Sequence, residues 1–531
     1  MPTLRPFATA LLLLSLCAIA IAESQPVPII KGDPAALSPA LLDELRGNFK
    51  MDTQARVLHN AVTNNSIESL ALNRDVVRGE DGHFSHRIQS QGITNQENTG
   101  RCWMFAGLNT MRPKVIAAYG LPQFEFSTAY LQFWDKMEKA NLYLETMIEM
   151  GKTDFLDREW ELVQAWTLDD GGWWNFVVDL IEKYGVVPKD VMPETASSKD
   201  TTVMNEVFTR MLHAYTVKIR TMSSEGKSVE DMRVFKRKAL ADVYRFLVIN
   251  LGEPPREFEW RYDANEEAAE AGAAAQGTKS KAKSPEQGRA AAKPAAKARR
   301  AGQDKPLIAV PEEEEIEESS AVPTLTPLRK YTPKSFYEEY VGVSLRDYVC
   351  LYNDTTNPFM KHYRFTRAKN MAGADDMDFV NVDSSVLKAV TMKSIVANEP
   401  VWFAADVGKD QSTDLGLMAD KLFDYGPLFG VDLTVSKADR VRFRAETSNH
   451  AMTFMGVDVR EGKPVKWLVE NSWGAEHGKD GTWTLYDKWF DEHVFVIIVN
   501  KKYIPAEVLK VFEEKATQLP AWYPGAPGVR R

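Results

Sequence analysis

The chain has 531 residues, 44% of them hydrophobic and 26% charged, with 13 Trp and 25 Phe. That length holds roughly two to four domain-sized units or one elaborated domain, and the apolar content excludes a disordered or collagen-like chain. A formal net charge of -9 argues against a nucleic-acid-coating surface, and three cysteines exclude a disulfide-dense scaffold and a multi-cysteine zinc framework.

Residues 1–22 read as a signal peptide. Arg5 gives a weakly basic start, the run from Phe7 to Ile21 is apolar, and Ala20-Ile21-Ala22 supplies the small residues a signal peptidase needs before Glu23. The run falls short of the ~20 apolar residues that span a bilayer. Leu16 is bulky where lipoprotein processing ahead of Cys17 needs a small residue. The expectation is an exported chain, periplasmic or secreted, with no membrane contact after cleavage. Only Cys102 and Cys350 would then remain, and an oxidising compartment would allow one bridge between them.

Residues 23–262 read as an N-terminal segment and a helical lobe, with helical stretches at Pro39 to Phe49 and Asp52 to Ala61. Farther on, Phe176, Val177, Leu180, Ile181 and Tyr184 follow a helical period. Between 264 and 303 large apolar residues almost vanish; within the 263–327 segment a basic block from Lys279 to Arg300 precedes an acidic one, Glu312 to Glu318. Such a segment cannot bury enough apolar surface to offset its ordering entropy, so it reads as a disordered insertion with self-compensating charge. A polyanion-binding tract is the sharper alternative. Residues 328–510 read as a remaining helical insertion and a β lobe. Val401 to Ala404, Ala451 to Val459, Val465 to Val469, Gly481 to Leu485 and Val494 to Val499 are β-rich runs, and alternation in the last group with turn residues between them suggests an antiparallel sheet. Residues 511–531 form a C-terminal arm. Helices first and strands later is the α+β pattern.

Chemistry concentrates at three places. In Asn95-Gln96-Glu97-Asn98-Thr99-Gly100-Arg101-Cys102-Trp103, polar turn residues run into Phe105, Leu108 and Met111, which puts Cys102 in the first turn of a helix. Unpaired N–H groups and the positive end of the helix dipole favour a thiolate there, although most lone cysteines are inert buried thiols. His450 opens an apolar, strand-like run after Ser448-Asn449, and Glu470-Asn471-Ser472-Trp473-Gly474 follows the strand ending in Val469. Asn471 could fix the tautomer of His450, with Trp473 shielding that bond; a histidine beside a strand is otherwise more often structural. His59, His83, His86, His213, His362, His477 and His493 lack such settings. No paired His/Glu or Cys spacing supplies a metal shell, and no cofactor is expected.

Gln96 and Cys102, then Asn449-His450-Ala451, then Asn471-Ser472-Trp473-Gly474, in that order, resemble the papain-like cysteine peptidases, and within them the bleomycin hydrolase / aminopeptidase C family. Further motifs carry the resemblance: Asp170-Gly171-Gly172, Glu182-Lys183-Tyr184-Gly185-Val186-Val187-Pro188, Glu399-Pro400-Val401-Trp402-Phe403, Trp489-Phe490-Asp491-Glu492 and Leu519-Pro520-Ala521-Trp522. The separation of Cys102 from His450 exceeds the ~130–150 residues of simpler relatives. Helical insertions in this branch, and the 263–327 tract, account for it.

The resemblance implies a papain-like two-lobed fold, a helical lobe with the nucleophile and an antiparallel β lobe with His and Asn, expanded by helical insertions. It makes Cys102 the nucleophile, His450 the base and then acid, Asn471 the orienter and Gln96 an oxyanion donor. Gly171 and Gly172 would admit a substrate backbone, a structural turn being the alternative. It further implies an aminopeptidase acting on peptides, assembled as a homo-hexamer, whose C-terminal arm lies in the cleft. The family's arm would end two residues earlier, so Arg530 and Arg531 place positive charge where a substrate ammonium should sit. Trimming of both would leave the Val529 carboxylate. Two alternatives stay open: an endopeptidase whose arm does not close the groove, and a catalytically silent scaffold.

Overall fold

The computed structural model describes residues 35–166, 169–264 and 324–526. The signal-peptide residues, the body of the 263–327 insertion and residues 527–531 lie outside them. The chain divides into two compact units, Met1–Leu70 and Ala71–Arg531. In the first, the helices Pro39–Asn48 and Thr53–Asn64 begin at Ser38 and Asp52, whose side chains accept from Leu41 and Ala55 N–H groups. Such N-caps contribute about 1 kcal/mol each.

In the second unit a helical lobe packs on a mixed sheet. Its central helix, Cys102–Tyr119, is buried on nearly every side. Around it lie the helices Thr128–Glu149, Trp174–Tyr184, Thr202–Ser224 and Val229–Leu251. The sheet has twelve strands among the described residues. Its centre is antiparallel, running Thr482–Tyr486, Lys463–Glu470, His450–Arg460, Val401–Ala405, Val494–Asn500 and Tyr348–Tyr352. The sequence pattern anticipated an antiparallel sheet; parallel pairs join it farther out, as where Thr517–Leu519 runs alongside Lys361–Phe365.

The period-2 alternation distributes side chains between two cores. Trp402, Ala404, Ala451, Val496 and Ile498 face the helical lobe. Val401, Phe403, Met452, Phe454 and Ile497 face the other way, into a core shared with Leu387, Trp489 and Val508. A strand buried on both faces reads as a nearly unbroken apolar run, which is why Val401 to Ala405 carries no polar residue.

His450–Arg460 and Lys463–Glu470 form a hairpin through Glu461 and Gly462, at φ 52° and 73°. Two positive φ values fit a type I′ turn, whose twist matches that of the strands. The hairpin's open end leaves Asn471, one residue beyond Glu470, beside His450.

The two ends of the insertion meet. Asp263 and Ala264 pair with Leu325 and Thr324, and Phe258–Trp260 pairs with Arg329–Tyr331. Trp260, Tyr331, Phe336 and Tyr340 pack edge to face beneath this ladder.

Candidate active site

Cys102 is the first residue of the central helix, and no side chain caps that helix among the described residues. Its first turn also lacks an acidic residue, so the field at the helix start favours an anion. Arg101 behind it is fully buried and fixes the loop. Its guanidinium donates to both oxygens of Glu194 (3.1 Å), to Gln132 Oε1 (3.1 Å) and to the Ser198 carbonyl (2.7 Å). Burial alone would raise the Glu194 carboxyl, but Arg101 holds it below the ordinary range.

His450 begins its strand and pairs in register with Ala405. Nε2 lies 2.8 Å from Asn471 Oδ1. Asn471 Oδ1 also accepts from the Ser472 N–H at 2.8 Å, so the oxygen faces two donors and Nε2 carries the proton. Nδ1 is therefore the basic nitrogen. The Trp473 ring lies 4.8 Å, centroid to centroid, from the imidazole. Burial pushes the imidazole down to about 4, with the Asn471 hydrogen bond acting in the opposite direction. A neutral imidazole at neutral pH can take a proton.

Gln96 connects the two lobes. Its Oε1 accepts from Ser472 Oγ at 2.7 Å, its N–H donates to the Ser472 carbonyl at 2.8 Å, and Nε2 donates to the Thr99 carbonyl at 2.6 Å. Ser472 thus holds the side chains of Asn471 and Gln96 in one arrangement. The serine of the Asn-Ser-Trp-Gly run acquires a role the sequence did not assign.

Cys102, His450, Gln96, Gly171, Gly172, Trp173 and Asn449 line one cavity of about 690 Å³. Asn471 stands behind His450, one hydrogen bond from the wall. Ala526, in the C-terminal arm, lines the cavity too. The two glycines differ. A Cβ on Gly172 would lie 2.4 Å from the Trp103 ring, so packing alone demands glycine there; a Cβ on Gly171 meets only Asp169 at 3.6 Å. Among the described residues no disulfide joins Cys102 to Cys350, whose thiol is buried in the sheet and pushed up by that burial.

Several residues escaped the sequence reading. Lys136, on Thr128–Glu149, pairs at 2.6 Å with Asp170, which also accepts from Thr201 (2.5 Å) and Asn205 (3.0 Å). Burial would raise the Asp170 carboxyl, yet Lys136 holds it well below the usual range. Lys139 donates to the Asp169 and Gly171 carbonyls at 2.9 and 2.7 Å and pairs with Asp135. Gln132, Lys136 and Lys139 form one buried polar stripe along a largely apolar helix; their i, i+4, i+7 spacing was a readable signal. Arg112, deep in the Cys102 helix, pairs at 2.6 Å with buried Glu470, next to Asn471. Asn449 Nδ2 donates to Asp406 Oδ1 (2.6 Å) and its Oδ1 accepts from the Val407 N–H (2.8 Å), pinning the loop before His450.

A model of the Peptidase C1-like family matches residues 36–274 and 325–526. The chain belongs to this family. The match skips most of the insertion and resumes where its closing ladder returns. Among curated relatives, Aminopeptidase C of Listeria monocytogenes is 32% identical over 491 residues, 91% of this chain and 97% of that protein. Bleomycin hydrolase of Mus musculus is 30% identical over 503 residues, 92% of this chain and 98% of that protein. The crystal structure of PepW from Lactobacillus rhamnosis is similar with a TM-score of 0.80 and 31% identity, covering 93% of this chain and 99% of that one. The chain is thus a cysteine peptidase with the papain-like α+β fold, in the branch of the aminopeptidase C and bleomycin hydrolase enzymes.

Proposed function

We propose that the protein is an exported aminopeptidase that removes residues from free peptide N-termini through a Cys102 acyl-enzyme. The observation that carries this reading is the His450 Nε2–Asn471 Oδ1 contact of 2.8 Å, on the wall of a cavity that also presents Cys102, Gln96 and the arm residue Ala526. The names of its relatives, aminopeptidase C and bleomycin hydrolase, support the same class.

In this mechanism His450 Nδ1 takes the Cys102 proton, and the thiolate attacks the scissile carbonyl carbon. The carbonyl oxygen becomes an oxyanion, held by the Cys102 N–H and by the Gln96 Nε2 hydrogen that does not serve Thr99. Collapse expels the leaving amine, which takes its proton from Nδ1, and leaves a thioester. Water, deprotonated by His450, attacks the thioester carbonyl; loss of the Cys102 thiolate frees the cleaved residue. Asn471 holds the ring at every step, and its carbonyl stabilises the transient imidazolium. Gly171, lacking a side chain, leaves room for a substrate backbone, whereas Gly172 serves Trp103.

The arm would supply the aminopeptidase character by occupying the cleft beyond the substrate's first residues. Assembly into a homo-hexamer belongs to the same reading and is checked by sedimentation. The proposed fates of the termini, cleavage after Ala22 and loss of Arg530 and Arg531, are read from the intact mass of the secreted product.

The deciding experiment compares a free-amine aminoacyl fluorogenic amide with its N-acylated form, using reduced protein and a Cys102→Ala control. Cleavage of the free-amine compound alone supports the aminopeptidase. Cleavage of both by the wild type favours an endopeptidase with a non-closing arm. Cleavage of neither, with Cys102 reduced, favours a silent scaffold.

A further inference from the structure

The last described residues approach the cavity along a defined track. Thr517–Leu519 adds a parallel strand to Lys361–Phe365. Tyr523 then enters a polar socket made by one loop of the β lobe: its hydroxyl lies 2.5 Å from Asp354 Oδ2, 2.5 Å from Thr356 Oγ1 and 2.8 Å from Asn357 Nδ2. Tyr352 donates to the Gly525 carbonyl at 3.0 Å, and Ala526 reaches the cavity wall. All these anchors belong to the β lobe.

Trp522 is different, because it is gripped from both sides of the cleft. Arg158, at the start of the helix Arg158–Trp166 in the helical lobe, places its guanidinium 5.0 Å from the centroid of the Trp522 ring. Arg444, from the segment that leads into His450, donates Nη2 to the Trp522 carbonyl at 2.8 Å. Arg444 sits at φ 57°, a conformation uncommon for a residue with a side chain. The same segment is tied down by Glu446, buried against Arg440 and His493.

We propose that Arg158 and Arg444 form a clasp, one arginine from each lobe, that holds the arm across the cleft at Trp522 and thereby determines the requirement for a free substrate N-terminus. This rests on the aminopeptidase reading. A guanidinium suits both tasks, since it stacks on an aromatic face and donates in a fixed plane to a carbonyl. Without the clasp the arm is left with its β-lobe anchors at Tyr523 and Gly525 and loses its hold from the helical side of the cleft, so it loosens there and the cavity admits substrates that extend past their first residues. Neither arginine touches the reacting atoms; both are positioning residues. Because both lie at or near the surface, their loss spares the core.

The test measures kcat/KM for the free-amine and N-acylated compounds in wild type, in the Arg158→Ala/Arg444→Ala double variant and in the Arg158→Lys/Arg444→Lys double variant. Hydrogen exchange of the peptide spanning 517–526 is followed in each, in the full-length protein. The expected result is at least a tenfold fall in the free-to-blocked ratio for the alanine variant, driven by a rise with the blocked compound. Faster exchange at 520–526 accompanies it, and the lysine variant largely restores both. An unchanged ratio with unchanged exchange overturns the clasp while leaving the aminopeptidase reading intact, as does faster exchange with an unchanged ratio. A wild type that cleaves both compounds equally instead overturns the aminopeptidase reading, and with it the specificity role of the clasp.

Discussion

On the Cys102 side of the cleft the proposed nucleophile is held by buried ions; on the other side the proposed base, His450, is held by strand register and an apolar core. Arg101 with Glu194, Lys136 with Asp170 and Arg112 with Glu470 surround the loop and helix that carry Cys102, and all six side chains are buried or nearly so. Around His450 the supports are Ala404, Met452, Phe454 and Phe403, with a hairpin turn that sets the approach of Asn471. A buried ion pair contributes little net stability, but loss of one partner strands the other charge. An apolar support yields gradually. The helix start therefore has a rigid but brittle mounting, and the histidine, apart from the buried Glu446 group that ties the segment ahead of it, a tolerant one.

The largest effect should come from the chemistry and not the mounting. Cys102→Ala should lower peptidase activity about ten-thousand-fold or more while the thermal transition stays within a few degrees of wild type. Retained activity would remove Cys102 from the mechanism.

The contrast between the mountings is tested by Lys136→Met. It leaves the Asp170 carboxylate buried against Thr201 and Asn205 without its cation, and should cost about 3–5 kcal/mol in chemical denaturation. If it costs no more than Asn449→Ala, the two sides are held alike.

The His450 imidazole provides the next test. In the Cys102→Ala protein, with no thiolate nearby, its NMR titration should have a midpoint near 4. The unfolded chain binds this proton near 6.5. Unfolded protein thus takes up more protons between these values, and this group's contribution to stability, full above about 6.5, falls as pH drops toward 4. A midpoint at the ordinary value would place the ring in water. Asn471→Ala should follow, with kcat/KM down about 10- to 100-fold, the worth of a hydrogen bond to a charged partner. The smallest effect belongs to Asn449→Ala, about 1 kcal/mol in stability, because Asn449 is itself exposed and water can take its place.

These two sides were not equally legible. The strand of His450 and the one ending at Glu470 stand out because β-rich apolar runs bounded by turn residues are local signals, and the helix start at Cys102 follows from polar residues running into an apolar period. Glu194, Asp170 and Glu470 carry no local mark, since a carboxylate reads as solvated until its cation is located. The glycines illustrate the same limit. Gly171 and Gly172 look equivalent in the chain, yet only Gly172 faces an indole. Cys350 looked available for a bridge, and its place within a strand of the sheet emerged only with the fold.

The sequence alone determined the order of helices and strands, the order of the three site motifs and the compositional break near 263, because each depends on neighbours within a few residues. Tertiary structure decided that Ser472 would link Gln96 to Asn471, that the chain on either side of the insertion would pair in a ladder, and that Ala526 would reach the cavity. Those depend on contacts between residues far apart in the chain, where closure entropy is offset by the burial and hydrogen bonding of the whole fold and no local pattern records the outcome.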